Sequence, residues 1–281
     1  MQFLDPRNDV AFKKIFGSEE HKGITISFLN SMLGFTGEHV IVDVQFMNTE
    51  QHPIILREKK ENILDVLCTD QCGHKYIVEM QVEKVKEFGK RMVYYGAKTY
   101  ALQLGRSAPY HKLAPVIVIA ILDFVLFPDK KSYKSIHRIL DQETHECNLP
   151  ELTFVFVELK KFKKEEYELL SVEDKWIYFI KEINHQDHVP AALATQEFGQ
   201  ACHIAERITW SEPELNAYDD AFVRATDQQT SLELATEKGI EKGQAKIIET
   251  MLANGLDSKS ISSLTGISAE HIAEIKNKQK N

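Results

Sequence analysis

The run APVIVIAILDF at residues 114–124 is apolar almost throughout and rich in β-branched side chains. Val and Ile lose side-chain freedom on a helix but pack well on a pleated surface, and the run falls far short of the roughly 20 residues that a membrane-spanning helix needs. It predicts a central strand covered on both faces, which requires helices on each side of a sheet. A second run, LTFVFVEL at 152–159, reads as a further strand. A mixed α/β core follows. With 281 residues, 43% of them hydrophobic, the chain can build one full-sized core and a smaller appendage.

Other patterns place elements around that strand. NDVAFKKIFG sets Phe12, Ile15 and Phe16 on one helical stripe with Gly17 as a stop, and Phe28, Leu29, Met32 and Leu33 mark a second helix. HVIVDVQFMN alternates Val40, Val42, Val44 and Phe46 against Asp43 and Gln45, the period of a half-buried strand. Residues 63–69 and KYIVEMQVE read as a hairpin whose link, DQCGH, supplies Asp70 and Gly73 as turn residues. Phe88, Met92, Tyr95, Thr99 and Leu102 recur at helical spacing up to a stop near Gly105. Ser171 and Asp174 resemble a capping box ahead of Trp176, Phe179, Ile180 and Ile183, and Phe198, Cys202, Ala205 and Ile208 mark another helix. The polar stretch 211–230, with Pro213, reads as a junction. Beyond the echo EKGIEKGQ lie three short helical patterns, at 245–253, 258–264 and 268–276, with Gly255 and Gly266 at the turns. The expected organisation is a core at 1–165, a helical extension and junction at 166–235, and a small helical module at 236–281.

Composition narrows the chemistry. A net charge of −8 argues against a surface that binds nucleic acid everywhere, since phosphate contacts depend on Lys and Arg. Locally, Lys84, Lys86, Lys90, Arg91 and Lys98 face only Glu83 and Glu87, which describes either a basic patch or a solvated helix. Four cysteines without paired CxxC units point to free thiols, and the HxC of His145 and Cys147 has no second pair at zinc spacing. No GxxxxGK[ST] loop and no secretory leader pattern is present, so the expected location is the cytoplasm, with no membrane partner.

Chemistry concentrates on the hairpin. Glu79 and Gln81 lie two apart and share a face opposite Tyr76, Val78, Met80 and Val82, and Asp65 on the preceding strand comes opposite them. Two converging carboxylates form an oxygen-rich pocket for a hard cation such as Mg²⁺, which takes about six oxygens at roughly 2.0–2.1 Å and keeps several as water. The Met80 carbonyl offers one more oxygen. Such a pocket suits phosphodiester hydrolysis, although an Asp and an ExQ on neighbouring strands also describe an ordinary solvated sheet face.

The stretch around Asp65, ILDVLCTDQCGHKYIVEMQVEKVKEFGKRMVYYGAKTYALQL, resembles the core of the recombination-promoting nuclease and transposase family of the PD-(D/E)XK superfamily, in which an Asp on one strand is followed by ExQ on the next. The opening DPRNDVAFKKIFG resembles that family's start, and VIVIAILDF, VFVELKKF and DKWIYFIK follow in order, so the likeness spans about the first 185 residues. It implies a restriction-endonuclease-like mixed sheet flanked by helices with a C-terminal all-helical extension. It also implies a Mg²⁺- or Mn²⁺-dependent DNA endonuclease of bacterial mobile-element or defence type. Asp65, Glu79 and Gln81 would be catalytic, with Asp65, Glu79, the Met80 carbonyl and a first-helix acid, Asp9 ahead of Asp5, around the metal. Gln81 takes the place of the superfamily's usual lysine and can only orient by hydrogen bonding, because an amide does not titrate. Lys13 and Arg91 would meet DNA phosphates, while Tyr94 and Tyr95 either stack on bases or pack in the core.

The C-terminal module has the outline of a helix-turn-helix, but Glu270 and Glu274 on its second helix would repel phosphates. Homo-oligomerisation, with a dimer favoured, is the expected role of these helices. The competing reading of the whole chain is a DNA-binding or assembly protein with a vestigial nuclease site.

Overall fold

The computed structural model describes residues 2–51, 62–104 and 109–278. In chain order the elements are α1 (Asp9–Phe16), α2 (Lys22–Leu33), β1 (Val44–Phe46), β2 (Glu50–Gln51), β3 (Asn62–Ile63), β4 (Val66–Asp70), β5 (Lys75–Gln81), α3 (Phe88–Ala101), β6 (Val116–Leu122), β7 (Lys134–Ile139), β8 (Leu149–Glu158), α4 (Val172–Glu182), α5 (Gln196–Ala205), α6 (Glu212–Ala253), α7 (Ser258–Thr265) and α8 (Ala269–Lys278). Two compact units divide the chain, residues 1–222 and 223–281.

The first unit is organised by a mixed sheet in the order β1-β4-β5-β6-β8-β7. β4 and β5 form the antiparallel hairpin, while β5, β6 and β8 run parallel. Every residue of β6 is buried, as expected of a strand covered on both faces. One face carries Val66, Tyr76, Val78, Met80, Ile117, Ile119 and Val155 into a core shared with α1, α2, α4 and α5. The other carries Leu67, Ile77, Val118 and Ala120 against Phe88, Met92 and Tyr95 of α3. Because alternate residues of β5 enter different cores, Glu79 necessarily faces α3 together with Ile77. α3 lies close to the sheet at Gly96, where an added Cβ would stand 3.2 Å from both the Phe154 ring and a Val118 methyl.

Local chemistry explains the element ends. Asn8 caps α1, its side chain accepting from the N–H groups of Val10 and Ala11. The capping box of Ser171 and Asp174 forms at α4. In the hairpin turn Gly73 adopts φ +88, a conformation that costs glycine little, while Asp70 Oδ1 accepts from Cys72 N–H and His74 N–H.

Several expectations need correction. In HVIVDVQFMN only Val44–Phe46 is strand. Ile41, not Val42, is the buried residue, because the Asn30 side chain takes both the N–H and the C=O of Ile41 at 2.9 Å and holds the chain off the sheet. Residues 63–69 are not one strand, since a break at Leu64 and a bend at Asp65 separate β3 from β4. Val82 falls past the end of β5 and is exposed. Ile208 lies beyond α5 and is 89% exposed. The two units divide within the junction expected at 211–230, but the stretch is helical from Glu212: Pro213 sits in the first turn of α6, where its missing N–H costs nothing. Strand β7 carried no clear pattern, and the expected helix stop at Gly105 lies outside the described residues.

The second unit has its own small core, in which Ile248, Ile261, Ile272 and Ile275 pack with Met251, Leu252 and Ile267. Asp257 caps α7 by accepting from Ser260 N–H at 2.7 Å, and Gly255 and Gly266 take positive φ at the two turns. Among the described residues no helix is long and apolar enough to cross a membrane, and the four cysteines are free.

Candidate active site

The bend at Asp65 is where side chains replace the sheet ladder. Asp65 N–H donates to Glu79 Oε1 at 3.2 Å, and Met80 N–H donates to Asp65 Oδ2 at 2.8 Å. Val66 pairs with Val78, so the next pair outward brings Asp65 opposite Glu79 on the α3 face. Sequence order therefore becomes spatial proximity: the two acids stand side by side, Glu79 held by the backbone of Asp65 and Asp65 by that of Met80.

Helix α1 approaches the same place. Asp9 and Lys13 are one turn apart on a single helix face, while Phe12, Ile15 and Phe16 bury the opposite stripe. Lys13 Nζ lies 2.7 Å from Asp9 Oδ1 and 3.6 Å from Asp65 Oδ1, so one ammonium serves two acids. From the other direction α3 supplies Arg91 and Tyr95, again one turn apart. Arg91 donates through Nη2 to Gln81 Oε1, and its guanidinium lies 4.8 Å from the centre of the Phe88 ring and 5.8 Å from that of Tyr95. Asp9, Lys13, Asp65, Glu79, Met80, Gln81, Arg91 and Tyr95 together line a cavity of about 330 Å³.

The electrostatics are unfavourable to the charged acids. Burial raises the carboxyls of both Asp65 and Glu79 well above the ordinary carboxylate range. Asp65 raises Glu79 further, and Asp9 raises Asp65. The opposing influences are the Met80 N–H and Lys13 at Asp65, and the Asp65 N–H, Arg91 and Lys13 at Glu79. Lys13 itself is raised: burial works against its charge, but the hydrogen bond it donates to Asp9 and the charges of Asp9, Asp65 and Glu79 outweigh it. Burial also raises the Tyr95 phenol.

Other sequence candidates are engaged elsewhere. Asp5 is held by Arg7 at 2.8 Å, and Arg7 also reaches Asp123 at 3.2 Å. Asp123 N–H donates in turn to the Gln81 carbonyl at 3.0 Å, so this cluster fastens the start of α1 to the strand ends beside the site. Tyr94 is exposed, whereas Tyr95 is buried and does both jobs, packing in the core and lining the cavity. Its core position agrees with the helical stripe of the sequence, and the four-residue spacing from Arg91 is the signal that it also lines the cavity. A larger groove of about 730 Å³ lies along α2 and the start of α4, but its acids Glu173 and Glu197 are already partnered by Lys134 and Ser27. Among the described residues no group of three or more His, Cys, Asp and Glu side chains gathers as a metal cage.

A family model described as PD-(D/E)XK nuclease family transposase matches residues 6–235. The chain belongs to this family. The match takes in the six-stranded sheet, its flanking helices and every residue lining the cavity. Membership in the PD-(D/E)XK nuclease family gives the chain a nuclease- or transposase-like role and assigns the mixed sheet to that fold. No curated protein and no solved structure matches the sequence.

Proposed function

We propose that this PD-(D/E)XK protein is a metal-dependent endonuclease that hydrolyses phosphodiester bonds in DNA. The observation that carries the reading is the pairing of Asp65 with Glu79 across the hairpin, Glu79 buried and Asp65 half-buried, both destabilised as anions, and both lining one cavity with Lys13 and Arg91. An acid pair short of compensating charge suits a divalent cation. Mg²⁺ commonly takes one or two carboxylates and fills its other positions with water, and Mn²⁺ accepts the same hard oxygens.

In this reading Asp65, Glu79 and the Met80 carbonyl hold the cation, and Asp9 joins them through its position beside Asp65. When bound, a divalent cation offsets charge developing on the phosphate and makes a water molecule acidic enough to lose its proton near neutrality. The chain's own residues do the rest. Met80 N–H fixes the direction of the Asp65 carboxylate, Asp65 N–H fixes that of Glu79, Lys13 offsets the acids from α1, and Arg91 brings positive charge to the cavity for phosphate oxygens. Gln81 completes the catalytic trio by hydrogen bonding.

The test is plasmid relaxation by purified protein in Mg²⁺ and in Mn²⁺, with a chelator control. Asp65→Ala and Glu79→Ala are each expected to lower the rate at least about 100-fold, the scale on which removal of a transition-state-stabilising group is felt. Cleavage that persists in folded Asp65→Ala sinks the proposal; wild-type protein that binds DNA and never cuts it favours a vestigial site instead.

For the C-terminal helices we propose self-association as a dimer. Ile240 and Ile247 of α6 are more than half exposed and lie seven residues apart, the repeat of a helix–helix seam. Light scattering after size exclusion is expected to report a dimer that becomes a monomer when residues 236–281 are removed. An unchanged mass would end that assignment.

A further inference from the structure

We propose that Arg91 is the group that grips the scissile phosphate and that Gln81 is its positioning residue, aiming the guanidinium rather than acting on the reacting atoms. The inference rests on the nuclease reading above and changes the part that Gln81 plays in it.

Consider first what Gln81 has left to offer. Its amide oxygen accepts from Arg91 Nη2, so the acceptor end of the side chain is turned to α3. An amide carries no charge to set against a phosphate, and its remaining donors are weaker than those of a cation. Arg91, by contrast, is prepared for an anion. Its guanidinium is seated against the Phe88 and Tyr95 rings, which hold the plane by cation–π contact, and Gln81 fixes one edge. Among the described residues Arg91 forms no ion pair within 4.0 Å, and its Nε is buried without a hydrogen-bond partner. Buried donors are rarely left unmade, because each costs about 1–3 kcal/mol. A cation that lines a cavity beside two acids and has no ion-pair partner of its own among the described residues suits a ligand oxygen. The planar fork of donors suits two oxygens of one phosphate group.

Lys13 does not compete for this role. Its ammonium is already shared between Asp9 and Asp65, so its charge is spent on the acids of the site itself. The division of labour is physical: Lys13 offsets the acid cluster from α1, and Arg91 brings its charge from the opposite wall.

Two readouts test this. Binding of a duplex oligonucleotide in Ca²⁺, measured over a series of salt concentrations, counts phosphate contacts, since each one removed lowers the slope of log affinity against log salt by about 0.9. Arg91→Met, which keeps a stem against the two rings, and Gln81→Ala are each expected to lower that slope by about one contact. In plasmid cleavage each should cost roughly 100-fold in kcat/KM, and the double variant should be no worse than either single one, because the two residues act as a unit. Gln81→Lys in the Arg91→Met background is expected to restore the lost contact. Arg91→Lys, which retains a charge but not the fork, should keep the slope and lose part of the rate; it also stands in should Arg91→Met fail to fold.

Independent, multiplying losses for Gln81→Ala and Arg91→Met would overturn the pairing. An unchanged salt slope in folded Arg91→Met would overturn the phosphate assignment, leaving Arg91 a packing residue that moves only the melting temperature. If wild-type protein binds DNA without cutting it, the nuclease reading fails while the slope still decides Arg91; if it does neither, both fall.

Discussion

Glu79→Gln is expected to raise the melting temperature of the metal-free protein at pH 8 while abolishing cleavage. The reason lies in the sign of the linkage. Burial and like-charge neighbours hold the Asp65 and Glu79 carboxyls above their ordinary values in the folded state, so folding favours their protonated forms. The stability they contribute is fully present below the unfolded value, about pH 4, and is lost as pH rises through the raised folded-state values. At pH 8 the metal-free site must carry charge that Lys13 and Arg91 compensate only in part. Glutamine keeps an oxygen able to accept the Asp65 N–H and has no proton to lose. Exchanging a partly compensated buried charge for a neutral group of the same shape should return about 1–3 kcal/mol. At this chain length each kcal/mol moves the melting point by about 2–4 °C. The gain should vanish at pH 4, where the wild-type carboxyls are protonated as well. Mg²⁺ should raise the wild-type melting temperature at pH 8 and leave Glu79→Gln nearly unchanged, because only a native-state ligand stabilises by mass action. Scanning calorimetry with chelator at both pH values is decisive. A variant that melts lower than wild type at pH 8 would show that the site is not electrostatically strained.

The same physics explains what could be read from the sequence. Buried strands announce themselves through unbroken apolar runs, and β6 was legible for that reason, as was the helical stripe of Phe88, Met92 and Tyr95 on α3. The placement of Asp65 against Glu79 followed from the two-residue period of a strand together with the resemblance to a PD-(D/E)XK core. What stayed hidden were contacts in which side chains replace the regular ladder. The bend at Asp65 exists because its carboxylate takes the Met80 N–H, and the buried Ile41 owes its place to the Asn30 amide. Neither bond has a periodic signature. Arg91 lay within reach of sequence reasoning as a charge near the hairpin, but its pairing with Gln81 depends on how closely α3 approaches the sheet, and Gly96 marks that approach only once the two are seen together. The helix through 211–230 was missed for another reason. Its apolar stripe, Leu215, Tyr218 and Phe222, is short and set among polar residues, and Pro213 reads as a breaker unless its place in the first turn is known.

Trp176→Ala is expected to produce the largest loss of stability of any single substitution considered, about 3–5 kcal/mol. The indole is fully buried where the helices of the larger core meet, its ring centre 5.7 Å from that of Phe16, 6.3 Å from Phe28, 5.8 Å from Phe179 and 4.3 Å from Phe198. Its Nε1 donates to Ser27 Oγ at 3.1 Å, so removal leaves a cavity and also frees a partly buried hydroxyl. Against a total stability of about 5–15 kcal/mol, that loss is enough to leave a substantial unfolded population well below the wild-type melting temperature. Trp176→Phe keeps most of the ring contacts and forfeits the hydrogen bond, so it should cost roughly 1–3 kcal/mol. The substitution also reaches the site by a short route. Phe16, which packs on Trp176, belongs to α1, the helix that presents Asp9 and Lys13 to the acid pair. Below its own melting temperature, Trp176→Ala is therefore expected to cleave more slowly than Trp176→Phe, while Glu79→Gln gains stability and loses cleavage. Denaturant melts paired with plasmid relaxation at 15 °C would separate the two variants. A Trp176→Ala protein with an unchanged denaturation midpoint would mean that the aromatic cluster is not what holds α1 against the sheet.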